Sequence, residues 1–129
     1  MFTSEQIKAA HSNVRSGADF PAYIQDLKRL GVTCYEIFVK DGYAEYYGAN
    51  DYKLATPSRY EPLEIAKTSD EGQFKKDLLA HQKGKTDYAA FCRDAAKSGV
   101  EKWVVCMEKM TCTYYDTTGH EILVEEILH

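Results

Sequence analysis

The spacing of hydrophobic residues along this chain changes twice from helical to alternating. Ile7, Ala10 and Val14 have the spacing of one helical face, and a second helical segment runs from Asp19 to Gly31. Alternation begins directly after that glycine, which is typical of a strand with one buried face. The same succession starts again at residue 70. Each half is therefore predicted to contain two helices and two strands, followed by a further strand.

Capping residues indicate where the helices begin and end. Thr3 and Gln6 have the spacing of a capping box, and an aspartate precedes each helical segment of the second half, Asp70 and Asp87. Gly31 and its counterpart Gly99 suit the left-handed conformation that ends many helices. After these glycines, alternation predicts that the inward faces of the strands are formed by Tyr35, Ile37, Val39, Trp103, Val105 and Met107.

Turn residues connect the predicted strands. Asp41-Gly42 favours a two-residue hairpin because both positions accept positive φ, whereas Lys109-Met110 favours a longer loop. Residues 55–68 contain two prolines and are predicted to be a linker, in which Leu63-Glu64-Ile65 is a candidate edge strand.

An offset of 68 positions relates Gly31-Val32 to Gly99-Val100 and Tyr46-Tyr47 to Tyr114-Tyr115. We therefore predict an internal repeat with halves at about 1–54 and 69–129. The expected fold is α+β: two αα-ββ repeats about a pseudo-twofold axis, with an antiparallel sheet and helices packed on one face. All 129 residues are expected to form a single domain.

Composition and charge exclude several classes of protein. The net charge of −4 lacks the positive field that phosphate neutralisation requires, so nucleic acid is not an expected partner. The chain has no apolar run of membrane-spanning length, and its first residues lack the pattern of a signal peptide. We expect a cytoplasmic protein that does not bind membranes.

A nucleophilic role for any of the four cysteines requires a neighbouring base or cation, because a thiol needs one to ionise near neutral pH. Cys92 lies on an apolar helical stripe and Cys112 on an inward strand face, so both are predicted to be buried and inert. Cys106 and Cys34 have the opposite strand parity. These two thiols, with His120, are the weak candidates for catalysis.

Ligand spacing does not favour a metal site. Acidic residues and His120 are concentrated between residues 116 and 126, but alternation sends neighbours to opposite faces, and no histidine pair has helical i, i+4 spacing. His81 is expected to interact with backbone carbonyls near the end of its helix. Neither a metal nor a cofactor is predicted.

Ten tyrosines are the most unusual feature of the composition. Adjacent tyrosines on a strand face opposite ways, so one member of each pair is predicted to be core and the other exposed. Exposed tyrosines favour contact surfaces, although they also simply cover a sheet face. The predicted binding residues are Tyr43, Tyr47 and Tyr115, together with Ile122 and Val124 of the final strand.

Three segments carry a resemblance to a known family: HQKGKTDY at residues 81–88, GVEKWVV at 99–105 and MTCTYYD at 110–116. They resemble the YdfO-like proteins of unknown function, and the likeness covers nearly the whole chain. Bacterial members of that family are often prophage-borne and have sometimes been labelled phage envelope proteins. The resemblance implies an α+β fold, no established activity and no catalytic residue.

Three functional hypotheses follow. The leading one is a non-enzymatic module that binds a protein partner or a second copy of itself, as an accessory protein of a mobile element. The second is a small enzyme or ligand carrier with a pocket where the two halves meet, using a Cys/His pair. The third is a phage structural protein.

Overall fold

The computed structural model describes residues 2–14 and 19–127, which form four helices and six strands. The helices are α1 (Ser4–His11), α2 (Phe20–Leu30), α3 (Glu71–Gln82) and α4 (Tyr88–Lys97). The strands are β1 (Val32–Phe38), β2 (Ala44–Gly48), β3 (Lys53–Thr56), β4 (Lys102–Cys106), β5 (Thr111–Tyr115) and β6 (Glu121–Glu126). Of these helices α3 is the longest, and none is long and apolar enough to cross a membrane.

The strands form one antiparallel sheet in the order β3-β2-β1-β4-β5-β6, which confirms the predicted α+β class. One face of this sheet packs against the helices, and we call it the inner face. Its strand residues are buried, as alternation predicts: Tyr35, Ile37, Tyr46, Trp103, Val105, Cys112 and Tyr114. The opposite, outer face carries the partly exposed residues between them.

Capping hydrogen bonds confirm the predicted starts of α1, α3 and α4. Thr3 and Gln6 form a complete capping box at α1. The Asp70 carboxylate accepts from the Gln73 amide at α3, and Asp87 accepts from the Ala90 amide at α4.

Two predictions for the first half are wrong. β1 and β2 are joined by residues 39–43 instead of a two-residue turn, and in this connection the Gly42 amide donates to the Phe38 carbonyl and the Val39 amide to the Glu101 carbonyl. Leu63-Glu64-Ile65 is not a strand. The third strand is β3, which follows a turn in which Asn50 and Asp51 both have positive φ (58° and 62°).

The central strands β1 and β4 pair in a register with a simple symmetry. Tyr35 lies opposite Val105, and Ile37 lies opposite Trp103. Adding 68 to the number of Tyr35 gives Trp103, and subtracting 68 from the number of Val105 gives Ile37. The repeat offset therefore converts the first pair into the second. This register is what a 68-residue repeat about a twofold axis requires, while the duplication itself stays a prediction.

Candidate functional site

A cavity of about 90 Å³ lies between the helices and the inner face, in contact with elements of both halves. Aromatic side chains form most of its wall, and a few polar groups lie among them. The residues that line it are His11, Val14, Phe20, Tyr23, Tyr35, Ile37, Tyr46, Arg59, Leu78, His81, Gln82, Tyr88, Phe91, Trp103, Cys112, Tyr114 and Glu125.

Ring contacts hold this wall in place. Tyr35 stacks on Tyr46 with ring centroids 5.2 Å apart, and Trp103 lies 6.0 Å from Tyr114 on the neighbouring strand. His81 of α3 stacks on the Phe91 ring of α4 at 4.5 Å. Aromatic pairs in such geometries add to the energy of burial, so these contacts stabilise the cavity wall.

The His81 imidazole also contacts Thr86. Its Nδ1 atom lies 3.1 Å from the Thr86 carbonyl oxygen, which is in the loop after the helix and not in its last turn. Burial lowers the pKa of His81 below its usual value, so the ring lines the cavity mainly in its neutral form near pH 7.

One end of the cavity is positively polarised by Arg59. This exposed residue comes from the linker between the halves, and its charge lowers the pKa values of Tyr23 and Tyr46, working against the larger effect of burial. Burial and then Arg59 lower the pKa of His11. Among the described residues no carboxylate lies within salt-bridge distance of the guanidinium, so its charge faces the cavity mouth uncompensated.

The other end contains a carboxyl group. Gln82 Nε2 donates to Glu125 Oε2 at 2.7 Å, and burial raises the pKa of Glu125 despite this hydrogen bond. Cys112 and Tyr114 lie close enough for Glu125 to raise their pKa values as well, after the larger effect of burial. The cavity therefore has a cationic end and a carboxyl end, separated by aromatic rings.

Neither the Tyr35 hydroxyl nor the Trp103 indole N–H has a hydrogen-bond partner within residues 2–14 and 19–127. Both residues are almost fully buried and line the cavity. The fully buried side-chain atom without a partner in this part of the chain is Thr56 Oγ1, so the polar atoms of Tyr35 and Trp103 stay accessible at the cavity wall. A bound molecule or a water can hydrogen-bond to them there.

The sequence candidates for catalysis lie elsewhere. Cys34 and Cys106 are directly opposite each other on β1 and β4, on the outer face. His120 is in the turn between β5 and β6, where its contacts are Thr118 and Asp116. The cysteine and histidines of the cavity are instead Cys112, His11 and His81.

The residues predicted for partner binding are distributed over the outer face and its margins. The Tyr47 hydroxyl donates to Glu45 at 2.7 Å, and Tyr115 lies over the Lys102 ammonium group. Val124 on β6 is 49% exposed, whereas Ile122 is buried. Ile122 has no partner in the β5–β6 register because of an irregularity beside Tyr115.

Sequence reasoning did not identify Arg59, Gln82 or Glu125 as site residues. Arg59 belongs to a linker without periodic hydrophobic residues, and in the sequence Glu125 is one of several acidic residues in the segment 116–126. The alternation of β6 could have identified Glu125, because Glu125 pairs with Cys112 and therefore lies on the inner face. In the described part of the chain, no group of three His, Cys, Asp or Glu side chains converges to hold a metal.

The fold and cavity define an α+β protein in which two helical pairs cover one face of a six-stranded antiparallel sheet. The chain belongs to the family described as protein of unknown function (DUF1398), whose model matches residues 8–126. The comparison with curated proteins finds no match.

Proposed function

We propose that this protein is a binding module that holds a small planar organic molecule in the cavity between the helices and the sheet. The observation that carries the proposal is the aromatic wall of this cavity. The wall includes two hydrogen-bonding groups that have no partner among the described residues, the Tyr35 hydroxyl and the Trp103 indole N–H. Concave, mainly apolar sites with a few placed polar groups are the usual form of a small-molecule site.

The charges at the two ends favour a ligand with an anionic group. The free guanidinium of Arg59 attracts a carboxylate, and an arginine can bind such a group through two parallel hydrogen bonds. At the other end Glu125, whose pKa is raised by burial, favours a hydroxyl or amide of the ligand over a second negative charge. A hydroxylated aromatic acid satisfies both ends.

The volume of about 90 Å³ limits the ligand to about one ring. Pockets that enclose drug-sized molecules have about 300–1,000 Å³. A larger molecule would have to extend past Arg59, which is exposed at the mouth.

Trp103 provides a direct test because it is the only tryptophan of the chain and lines the cavity. Its fluorescence is followed while the protein is titrated with benzoate, 4-hydroxybenzoate, benzyl alcohol and benzylamine. We expect saturable changes, with the acids binding about tenfold or more tightly than the amine, which corresponds to about 1.4 kcal/mol.

Matched charge variants make this test specific. Arg59→Gln is expected to remove the preference for the acids, whereas Lys53→Gln, which removes an outer-face cation paired with Glu45, is expected to keep it. The proposal would be contradicted if the acids and the amine bound equally well, or if both variants lost the preference for the acids to the same extent.

A protein-binding role stays a prediction from the sequence. Exposure of Val124 on edge strand β6 favours it. Against it, Ile122 is buried and the Tyr47 hydroxyl is already bound to Glu45. The closer likeness to YdfO-like proteins, a prophage origin, a structural role in phage and a cytoplasmic location also stay predictions.

A further inference from the structure

Two of the four cysteines form a cross-strand pair at the centre of the sheet. Cys34 on β1 and Cys106 on β4 are partners in the strand register, on the outer face away from the cavity. Both are partly exposed, whereas Cys92 and Cys112 are buried. The pair therefore joins the two halves of the chain and is accessible to small reagents.

The position of the pair within the ladder suits a covalent link. The Met107 amide donates to the Thr33 carbonyl at 3.0 Å, so these neighbours form a hydrogen-bonded pair. Cys34 and Cys106, one residue further along each strand, form the intervening non-hydrogen-bonded pair, in which Cα atoms lie about 4.5 Å apart. Disulfides span Cα separations of about 4.4–6.8 Å.

Electrostatics around the pair indicate which thiol reacts first. Burial raises the pKa of Cys34, and the neighbouring Cys106 and Glu36 raise it further. The thiolate is the attacking species in disulfide exchange. Its raised pKa makes Cys34 a poor first nucleophile, and Cys34 loses one source of repulsion once the Cys106 sulfur is bonded.

We propose that Cys34 and Cys106 are a dithiol modification site, which a small disulfide such as oxidised glutathione converts to an intramolecular disulfide. The Cys106 thiolate attacks one glutathione sulfur, and the first glutathione leaves as a thiolate that takes up the proton Cys106 released. The Cys34 thiolate then attacks the Cys106 sulfur of this mixed disulfide and displaces the second glutathione. Two protein thiols are oxidised, and one glutathione disulfide is reduced to two thiols.

The disulfide would restrain the unfolded chain by closing a long loop between the halves. The oxidised protein should therefore unfold at a higher urea concentration than the reduced one. The cavity lies on the other face of the sheet, so its ligand affinity should change less than twofold.

The test incubates the folded protein with oxidised glutathione, alkylates the remaining thiols and maps peptides by mass spectrometry. We expect a peptide linked through Cys34 and Cys106, a mass lower by two hydrogen atoms, and alkylated Cys92 and Cys112. Dithiothreitol should restore both thiols and the lower urea midpoint.

Serine variants separate the two steps. Cys34→Ser should stop at a stable glutathione adduct on Cys106, and Cys106→Ser should react more slowly than Cys34→Ser. Cys92→Ser, a buried control, should still form the linked peptide if it folds. If it does not fold, the peptide map of the wild type tests the link. Persistent adducts on the wild type, a link between two chains, or unchanged thiols at both positions would overturn the proposal.

Discussion

Tyr35 and Tyr46 are partners on adjacent strands, and their rings stack with centroids 5.2 Å apart and planes inclined by 28°. Tyr23 of α2 meets the Tyr35 ring edge-on at 6.4 Å. The hydroxyls of the two strand tyrosines differ in hydrogen bonding. The Tyr46 hydroxyl forms a hydrogen bond with Tyr23, whereas the Tyr35 hydroxyl has no hydrogen-bond partner among the described residues. This difference separates a residue that stabilises the cavity from one available to a ligand.

The first prediction compares these hydroxyls. Tyr46→Phe breaks the bond to Tyr23 and is expected to lower the free energy of unfolding by about 1 kcal/mol, whereas Tyr35→Phe should change it by less than about 0.5 kcal/mol. Tyr35→Phe should instead weaken binding of 4-hydroxybenzoate about fivefold.

Urea denaturation and Trp103 fluorescence measure the two effects. Tyr47→Phe is the control for binding, because it removes a hydroxyl from the outer face. A loss of stability in Tyr35→Phe as large as that in Tyr46→Phe would show that the Tyr35 hydroxyl already has a partner.

The second prediction concerns Glu125. Because burial raises its pKa in the folded state, the folded protein holds a proton that the unfolded chain has released at the same pH. The contribution of Glu125 to the free energy of unfolding is fully present below the usual glutamate pKa. It is lost as the pH rises through the raised pKa of the folded state. The urea midpoint of the wild type should therefore fall with rising pH between roughly pH 4 and 8, the range above the usual glutamate pKa. Glu125→Gln should remove this fall.

The matched control is Glu121→Gln, an exposed position at the start of the same strand. It should keep the wild-type pH profile. A Glu125→Gln profile that still declines over this range would place the responsible group elsewhere.

The third prediction links Arg59 to His11. Burial is the main cause of the lowered pKa of His11, and the Arg59 charge lowers it further. Arg59→Gln should therefore raise the pKa of His11 but leave it below the usual value, as followed by NMR of the imidazole protons.

Salt gives an independent check on the same interaction. Because Arg59 is exposed, added salt should screen its charge and raise the wild-type His11 pKa, with a smaller effect in Arg59→Gln. His81, whose lowered pKa does not involve Arg59, should titrate alike in both proteins. A His11 pKa that is insensitive to the substitution would disprove the electrostatic contact.

The fourth prediction compares two glycines with positive φ at equivalent helix ends. A Cβ atom at Gly99 (φ 81°) would lie 2.8 Å from the Ser69 Cα and 2.9 Å from the Thr68 oxygen, both backbone atoms. At Gly31 (φ 99°) nothing lies within 4 Å. Gly31→Ala should cost about 1–2 kcal/mol from the left-handed conformation alone, and Gly99→Ala clearly more. Equal losses by thermal denaturation would show that the 68–69 segment moves away freely.

Local rules account for the parts of the fold that the sequence could predict. Capping at Thr3, Asp70 and Asp87 and the alternation at Tyr35 and Trp103 depend only on neighbours in the chain. The sequence predicts a further strand in the first half but places it at residues 63–65, whereas β3 is at Lys53–Thr56. The signal for β3 is the Asn-Asp turn at residues 50–51, which accepts positive φ less obviously than a glycine pair.

The cavity could not be predicted because it depends on contacts between distant segments. Arg59 reaches it from a linker without periodicity, and Glu125 reaches it through the register of β6 against β5. Alternation predicts Tyr35 and one tyrosine of each adjacent pair in the core, and Tyr35, Tyr46 and Tyr114 are indeed buried. It does not predict that these rings, together with Tyr23, line a cavity.

The most direct measurement is the set of intermolecular NOEs between a saturating hydroxylated aromatic acid and the protein's aromatic side chains. The proposed function predicts NOEs from the ligand ring to Tyr35, Tyr46 and Trp103, which line the cavity. NOEs confined to the outer-face rings of Tyr47 and Tyr115, or none at saturating ligand, would contradict it.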